Sequence, residues 1–223
     1  MSIQPTRRHR VLHQHPLQVS GRLPNTLFGA DVAAVVAELN LSDVVLVGHS
    51  MGGDVIVEAA RRLPGRVRGV VWVDTYRRLD ESGSAAAMEG EMAAFIAPFR
   101  TDFAAATRAF VRRIAGTGAD PGLVDWVADD MAAAPPQIAM DAMKHSMTNE
   151  RAAIAGLREA AVPAVAINPD QPATDVESLV RNGIAPVCQP AVGHFLMLED
   201  PVGFNRVLDA TIEQFAARQG VDP

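Results

Sequence analysis

The chain has 223 residues, a formal net charge of −6, 48% hydrophobic residues and a single cysteine, Cys188. That length and apolar content suit one α/β domain with an insertion and a real core, and they exclude a disordered chain. The negative balance argues against a nucleic-acid surface, the lone cysteine excludes an internal disulfide or a cysteine metal cluster, and no apolar run is long enough to span a membrane or lead secretion, so a cytoplasmic setting is expected.

Residues 1–26 read as an atypical basic leader, solvated and poorly ordered. No Asp or Glu occurs before Asp31, whereas Arg7, Arg8, Arg10 and Arg22 stand there with His9, His13 and His15. No carboxylate or cysteine joins these histidines, so no metal is assigned to them. The start also shares the Arg-rich, acid-poor composition of a transit peptide.

From Leu27 to Leu39, Phe28, Val32, Val35, Val36 and Leu39 mark an amphipathic helix capped by Asn25 or Thr26. Strand Val44–Val47 follows, then a turn holding Ser50, then helix Gly53–Leu63 closed by Pro64-Gly65. A second strand, Gly69–Val73, ends at Asp74. From about Arg77 to Ala160 the strand signal disappears. The segment reads as consecutive helices broken at Pro98, Gly116–Gly118, Pro121, Pro135-Pro136 and Asn149. Strands return at Ala164–Ile167 and Ala185–Cys188, and Val202–Ala217 is a closing helix. Cys188 sits in an apolar run and is expected to be a buried core thiol. Strands alternating with helices predict an α/β fold with a mostly parallel sheet, its active residues at the carboxyl ends of the strands. The expected domain plan is a core formed by 27–76 and 161–223, with a helical cap or lid formed by 77–160.

The run Val44-Val45-Leu46-Val47-Gly48-His49-Ser50-Met51-Gly52-Gly53 carries the most chemistry. A Gly-x-Ser-x-Gly turn between strand and helix lifts a hydroxyl clear of the sheet in a strained backbone conformation. Gly48 and Gly52 are expected to let strand and helix approach closely. The helix N-terminus favours an oxyanion, with the Met51 N–H as donor. A dinucleotide loop is the rival reading, with Asp74 as its acidic residue. A short-chain dehydrogenase would also need Tyr-x-x-x-Lys, but Tyr76 is followed four residues later by Asp80, and the only lysine is Lys144. No metal or organic cofactor is implied.

A serine hydroxyl needs a base, and the base needs a carboxylate. His194 follows the last strand and is the candidate base. His145 in the insertion and His49 beside the serine are placed less well. Three carboxylates compete to orient His194: Asp170 first, in Asn168-Pro169-Asp170, then Asp74, then Asp175. Met88, Met92, Met131, Met140, Met143 and Met147 enrich the insertion. His49, Met88, Met92 and Met143 are the candidates to line a substrate pocket.

The elbow Val44–Gly53, together with Val70–Thr75, Pro163–Asp170 and Val192–Pro201, resembles the α/β-hydrolase fold. The likeness is to its capped carboxylesterase, lactonase and cofactor-free haloperoxidase branch, and it runs from about Leu27 to the C-terminus. It implies a serine hydrolase that cleaves a small, largely apolar ester or thioester through an acyl-enzyme. Ser50 is the nucleophile, His194 the base and Met51 N–H an oxyanion donor. Family members carry further strands and a His-Gly loop before the elbow, and the start of this chain departs from that pattern. The sheet is therefore expected to lack its first strands through a truncated or scrambled start, with activity weakened by a missing oxyanion donor. Alternatives are an impaired remnant or binding module of the same fold, or an acyltransferase using the same serine. The expected partner is a small-molecule ester, with no nucleic acid and no membrane; homodimerisation stays open.

Overall fold

The computed structural model describes residues 25–79 and 85–217, with the side chains of 25 and 85–88 outside that description. Residues 1–24 of the basic leader, with its histidines, therefore lie outside the described residues.

Hydrophobic alternation builds a sheet that is buried on two faces. Strands β1 (Val44–His49), β2 (Val67–Val73), β3 (Ala164–Pro169) and β4 (Ile184–Gln189) pair in parallel in the order β1-β2-β3-β4. Val70 and Trp72 of β2, with Ala164 and Ala166 of β3, face one core. Val71, Val73, Val165 and Ile167 face the other. A period of two with both faces apolar is the mark of a covered parallel sheet.

Helices supply the covers. On the first face lie α1 (Asn25–Glu38), α2 (Gly52–Arg62) and α7 (Glu150–Ala160), through Val36, Ile56, Ala60 and Ile154. The short helix α8 (Val176–Arg181) adds Leu179. On the second face lie α9 (Leu196–Glu199) and α10 (Pro201–Ala217), through Leu196, Phe204 and Phe215. Gly69 lets the Phe215 ring lie on the strand, since a Cβ there would sit 2.8 Å from that ring.

Between β2 and α7 run α3 (Ala85–Thr101), α4 (Phe103–Ile114), α5 (Pro121–Ala132) and α6 (Pro136–Thr148). Of the expected breaks in the helices, Gly116–Gly118 falls between α4 and α5, Pro121 and Pro136 open α5 and α6, and Asn149 separates α6 from α7. Pro98 does not break one; it lies inside α3. The stop comes at Asp102, whose side chain accepts from Ala105 N at 3.0 Å and caps α4. A side-chain acceptor satisfies an orphan N–H and so starts a new helix there. Thr26 falls inside α1, which begins at Asn25. Cys188 is exposed rather than buried; it lies on β4, an outer strand of the described sheet. No described helix is long and apolar enough to cross a membrane.

Candidate active site

Ser50 occupies the turn between β1 and α2 with φ +52°, in the left-handed region that costs a β-carbon residue energy. Neighbouring groups hold that turn. Ser50 N donates to Val73 O at 2.9 Å, and Gly53 N donates to Ser50 O at 3.0 Å. Thr75 Oγ1 donates to Ser50 O at 3.0 Å, and Trp72 Nε1 donates to Gly53 O at 3.1 Å. The close approach belongs to Gly48 and Gly53, not to Gly48 and Gly52. A Cβ on Gly48 would fall on the Gly52 carbonyl, and one on Gly53 would fall on the Thr75 side chain. Gly52 faces open space. Met51 immediately precedes α2, so its N–H belongs to the positive end of that helix.

His194 lies in the loop after β4 and lines, with Ser50, one cavity of about 510 Å³. Its Nδ1 stands 2.6 Å from Asp74 Oδ2. Asp74 ends β2, 5% exposed, also in the left-handed region at φ +45°. Arg77 grips the same carboxylate through two donors, at 2.6 and 2.7 Å. Burial alone would raise the Asp74 carboxyl, but the hydrogen bonds from Arg77 and His194 outweigh it and hold the group below its usual range. An ionised carboxylate only accepts, so Nδ1 carries the proton and Nε2 keeps its lone pair in the neutral ring.

The other two aspartates do not meet the imidazole. Asp170, expected first, accepts from Ala191 N at 3.3 Å. Asp175 caps α8, accepting from Ser178 N at 3.0 Å. Asp74 wins because the β2 end lies next to β1, which delivers Ser50, whereas the Pro169-Asp170 turn is tied to the opposite stem of the His194 loop. Asp170 instead borders a second cleft of about 850 Å³ on another side of His194, with Arg77, Arg113 and Thr117; Ser50 does not line it.

The His194 loop is fastened to α4. His194 N donates to Ile114 O at 2.8 Å. The Glu199 carboxylate accepts from Gly193 N at 2.7 Å, Phe195 N at 3.2 Å and Gly116 N at 3.1 Å. Gly193 and Gly116 let these two backbones touch. His49 braces the loop from below. Its Nε2 donates to His194 O at 2.8 Å, and the two rings lie 4.5 Å apart. Burial, and then His194 nearby, lower its pKa from 6.5 to about 4. Glu199, Arg77 and Thr75 were given no role in the site from sequence. Arg77, three positions after Asp74, was the one legible signal.

The cavity over Ser50 is walled by α3–α6. His49 and Met143 line it, with Phe95, Phe99 and Phe110. Met92 is buried and does not line it. Its place is taken by Phe95 and Phe99, one and two helical turns further along α3. The Met88 side chain lies outside the described residues. Such a constellation can activate a hydroxyl beside an apolar chamber.

The pattern of the alpha/beta hydrolase family matches residues 7–207. The chain belongs to the alpha/beta hydrolase family. The match begins upstream of Leu27, where the motif resemblance starts, so part of the basic leader falls within the family pattern. The fold is similar to that of a thermophilic esterase from Thermogutta terrifontis, with TM-score 0.68 and 20% identity, covering 88% of this chain and 75% of that one. It is also similar to a bromoperoxidase from Bacillus anthracis, with TM-score 0.66 and 19% identity, covering 88% and 77%. In sequence it is 37% identical over 62 residues to a Haemophilus influenzae protein named "Putative esterase/lipase", covering 28% of this chain and 21% of that relative. The alpha/beta hydrolase chain described here thus spans about a fifth (21%) of that sequence relative's length.

Proposed function

We propose that this alpha/beta hydrolase is a serine esterase acting on a small, uncharged, largely apolar carboxylic ester. The observation that supports it most is the shared cavity: a serine in a left-handed strand-to-helix turn and a histidine held by a carboxylate at 2.6 Å open into the same chamber.

In this reading His194 Nε2 takes the Ser50 proton as Oγ attacks the ester carbonyl carbon. Asp74 holds the ring in the required tautomer and balances its transient positive charge. The Met51 N–H, at the head of α2, donates to the oxyanion; one such donor is worth about 3–4 kcal/mol of barrier. Collapse expels the alcohol, which takes its proton from His194, and leaves an acyl-Ser50. Water, deprotonated by His194, then releases the acid. The segment 77–160 serves as a cap: α3–α6 wall the cavity, and α7 returns the chain to the core against α2.

The test is hydrolysis of p-nitrophenyl hexanoate at neutral pH. The expected result is turnover that Ser50→Ala and His194→Gln each abolish. Turnover surviving in Ser50→Ala overturns the reading. A folded wild type with no turnover favours the binding-module alternative.

A further inference from the structure

One buried carboxylate outside the catalytic set joins three parts of the molecule. Asp54, 2% exposed, stands in the first turn of α2, four residues after Ser50. Its Oδ1 accepts from the Tyr76 hydroxyl at 2.7 Å, and its Oδ2 accepts from Ser146 Oγ at 3.0 Å. Tyr76 follows Asp74 by two residues, and its ring meets Trp72 edge-on at 5.1 Å. Asn168 Nδ2 donates to the Tyr76 carbonyl at 3.1 Å, so the tyrosine is fixed to the core. Burial, and then the Asp54 charge, push the Tyr76 hydroxyl well above its ordinary pKa, so it keeps its proton and donates. Burial also raises the Asp54 carboxyl, against hydrogen bonds from Tyr76, Asn149 and Ser146.

Ser146 belongs to α6, whose place over the chamber calls for such a tie. Met143, Ser146 and Met147 of that helix line the cavity over Ser50. Ala142 is the one buried residue of α6, so apolar burial anchors the helix weakly. The hydrogen bonds from Gln137 to Asp141 and from Thr148 to the Lys144 carbonyl stay within the helix. Helices α4 and α5 differ: Val111, Val127 and Ala128 form a buried cluster with Phe195 and fasten them beside the His194 loop. A hydrogen bond to a buried carboxylate is among the stronger ones, and a donor withdrawn from it leaves an oxygen that water reaches poorly.

We infer that Asp54 is a positioning residue for the substrate chamber: by accepting from Ser146 it latches α6 over Ser50, while its other oxygen, held by Tyr76, seats the latch on the core. Asp54 does not line the cavity, so it acts on a bound molecule only through α6. With the latch made, Met143 and Met147 stand against the substrate. With it broken, α6 loosens, the wall recedes and binding weakens. The Ser50 turn keeps its own ties to Val73 and Thr75, and Asp74 keeps Arg77 and His194. A loss of this kind raises KM and leaves kcat nearly unchanged. That kinetic consequence rests on the esterase reading; the latch itself does not.

The experiment compares wild type with Ser146→Ala, Ser146→Thr and Asp54→Ala by native-state hydrogen exchange of α4 and α6 peptides and by hydrolysis of p-nitrophenyl hexanoate. Ser146→Ala is expected to speed exchange in α6 about five- to tenfold, the scale of one hydrogen bond, and to change α4 much less. KM should rise about three- to tenfold on the same scale, with kcat within about twofold. Ser146→Thr, which keeps a hydroxyl, should recover both. Asp54→Ala should reproduce the rise in α6 exchange and in KM, and the double variant should add less than the sum of the two. Unchanged α6 exchange in Ser146→Ala overturns the inference even if KM rises, since the serine then acts by direct contact. Exchange that rises equally in α4 and α6 is a general loosening and overturns it too. Should Asp54→Ala fail to fold, the two Ser146 variants decide. Calorimetric binding of N-(4-nitrophenyl)hexanamide to Ser50→Ala, with and without Ser146→Ala, reads the same wall without turnover. If no ester is hydrolysed but α6 exchange and amide affinity both depend on Ser146, the esterase reading falls and the latch stands. If neither KM nor amide affinity depends on Ser146, the positioning role falls whatever the catalytic result.

Discussion

His194 Nδ1 donates to Asp74 Oδ2 at 2.6 Å, joining groups that lie 120 positions apart in the chain. The parallel sheet makes this possible by bringing the carboxyl ends of β2 and β4 to one edge of the fold. Replacing Asp74 by Asn would keep the side chain's size, but it would set an amide N–H₂ against either Arg77 or His194 and allow the wrong imidazole tautomer. Asp74→Asn is expected to lower kcat by about 10³–10⁴-fold. Asp170→Asn and Asp175→Asn, which alter a loop contact and a helix cap, are expected to stay within about threefold of wild type, a scale of less than 1 kcal/mol. Steady-state hydrolysis of one ester by the three variants checks this, with thermal melts to confirm folding.

The second expectation concerns pH. His49 titrates at about 4 in the folded chain against 6.5 ordinarily, so between those values the unfolded chain binds a proton that the folded chain refuses. Stability from this group is fully present above pH 6.5 and is lost as pH falls towards 4. The loss is on the order of 3 kcal/mol. Asp74, whose carboxyl is lowered, adds its own loss only below its ordinary value of 3.8. His49→Gln keeps an N–H for the His194 carbonyl and does not titrate. Chemical denaturation at a series of pH values should show a shallower decline between 6.5 and 4 in His49→Gln than in wild type.

The third concerns Glu199. Three backbone N–H groups, from Gly193, Phe195 and Gly116, converge on its carboxylate. Glu199→Ala leaves them unpaired in a partly buried place, at about 1–3 kcal/mol for each that water cannot reach. A lower melting temperature is expected, with a fall in kcat larger than any rise in KM, since the loop carries the base. Glu199→Gln, which retains one acceptor oxygen, should recover part of both.

The elbow glycines give a fourth contrast. Gly52→Ala meets nothing within 4 Å and is expected to fold as wild type. Gly48→Ala drives a methyl group into the Gly52 carbonyl and is expected to cost more than about 3 kcal/mol, because backbone on both sides must move. Gly53→Ala displaces Thr75, whose hydroxyl supports the Ser50 carbonyl, and should lower activity along with stability. Denaturation midpoints of the three variants order these costs.

How much was legible in the sequence follows from which interactions are local. The strands, the elbow and the closing helix come from runs of apolar residues with a fixed period, and each was read to within three residues. Helix α8 was missed because Val176–Arg181 is only six residues long, too short to display a period. Pro98 was read as a stop, but a helix tolerates it when flanking packing holds the turn, and Phe95 and Phe99 pack against each other around it at 5.4 Å. The placement of Ser50 in a strand-to-helix turn and of His194 in the loop after the last strand was legible because local patterns surround them. The carboxylate was not, since Asp74, Asp170 and Asp175 all follow strands and only the register of β2 against β1 and β3 separates them. The chamber walls were least legible. Periodicity says that a helix has an apolar face, but not whether Met92 or Phe95 on that face looks into the cavity.

In the proposed esterase the Ser50 hydroxyl is a nucleophile activated by the His194–Asp74 pair. Intact-protein mass spectrometry with peptide mapping, after treatment with an alkyl fluorophosphonate, tests it directly. One phosphonyl adduct per folded chain is expected, on the peptide bearing Ser50, absent in Ser50→Ala and greatly slowed in Asp74→Asn. A folded wild type that takes up no adduct, or an adduct that persists in Ser50→Ala, would contradict it.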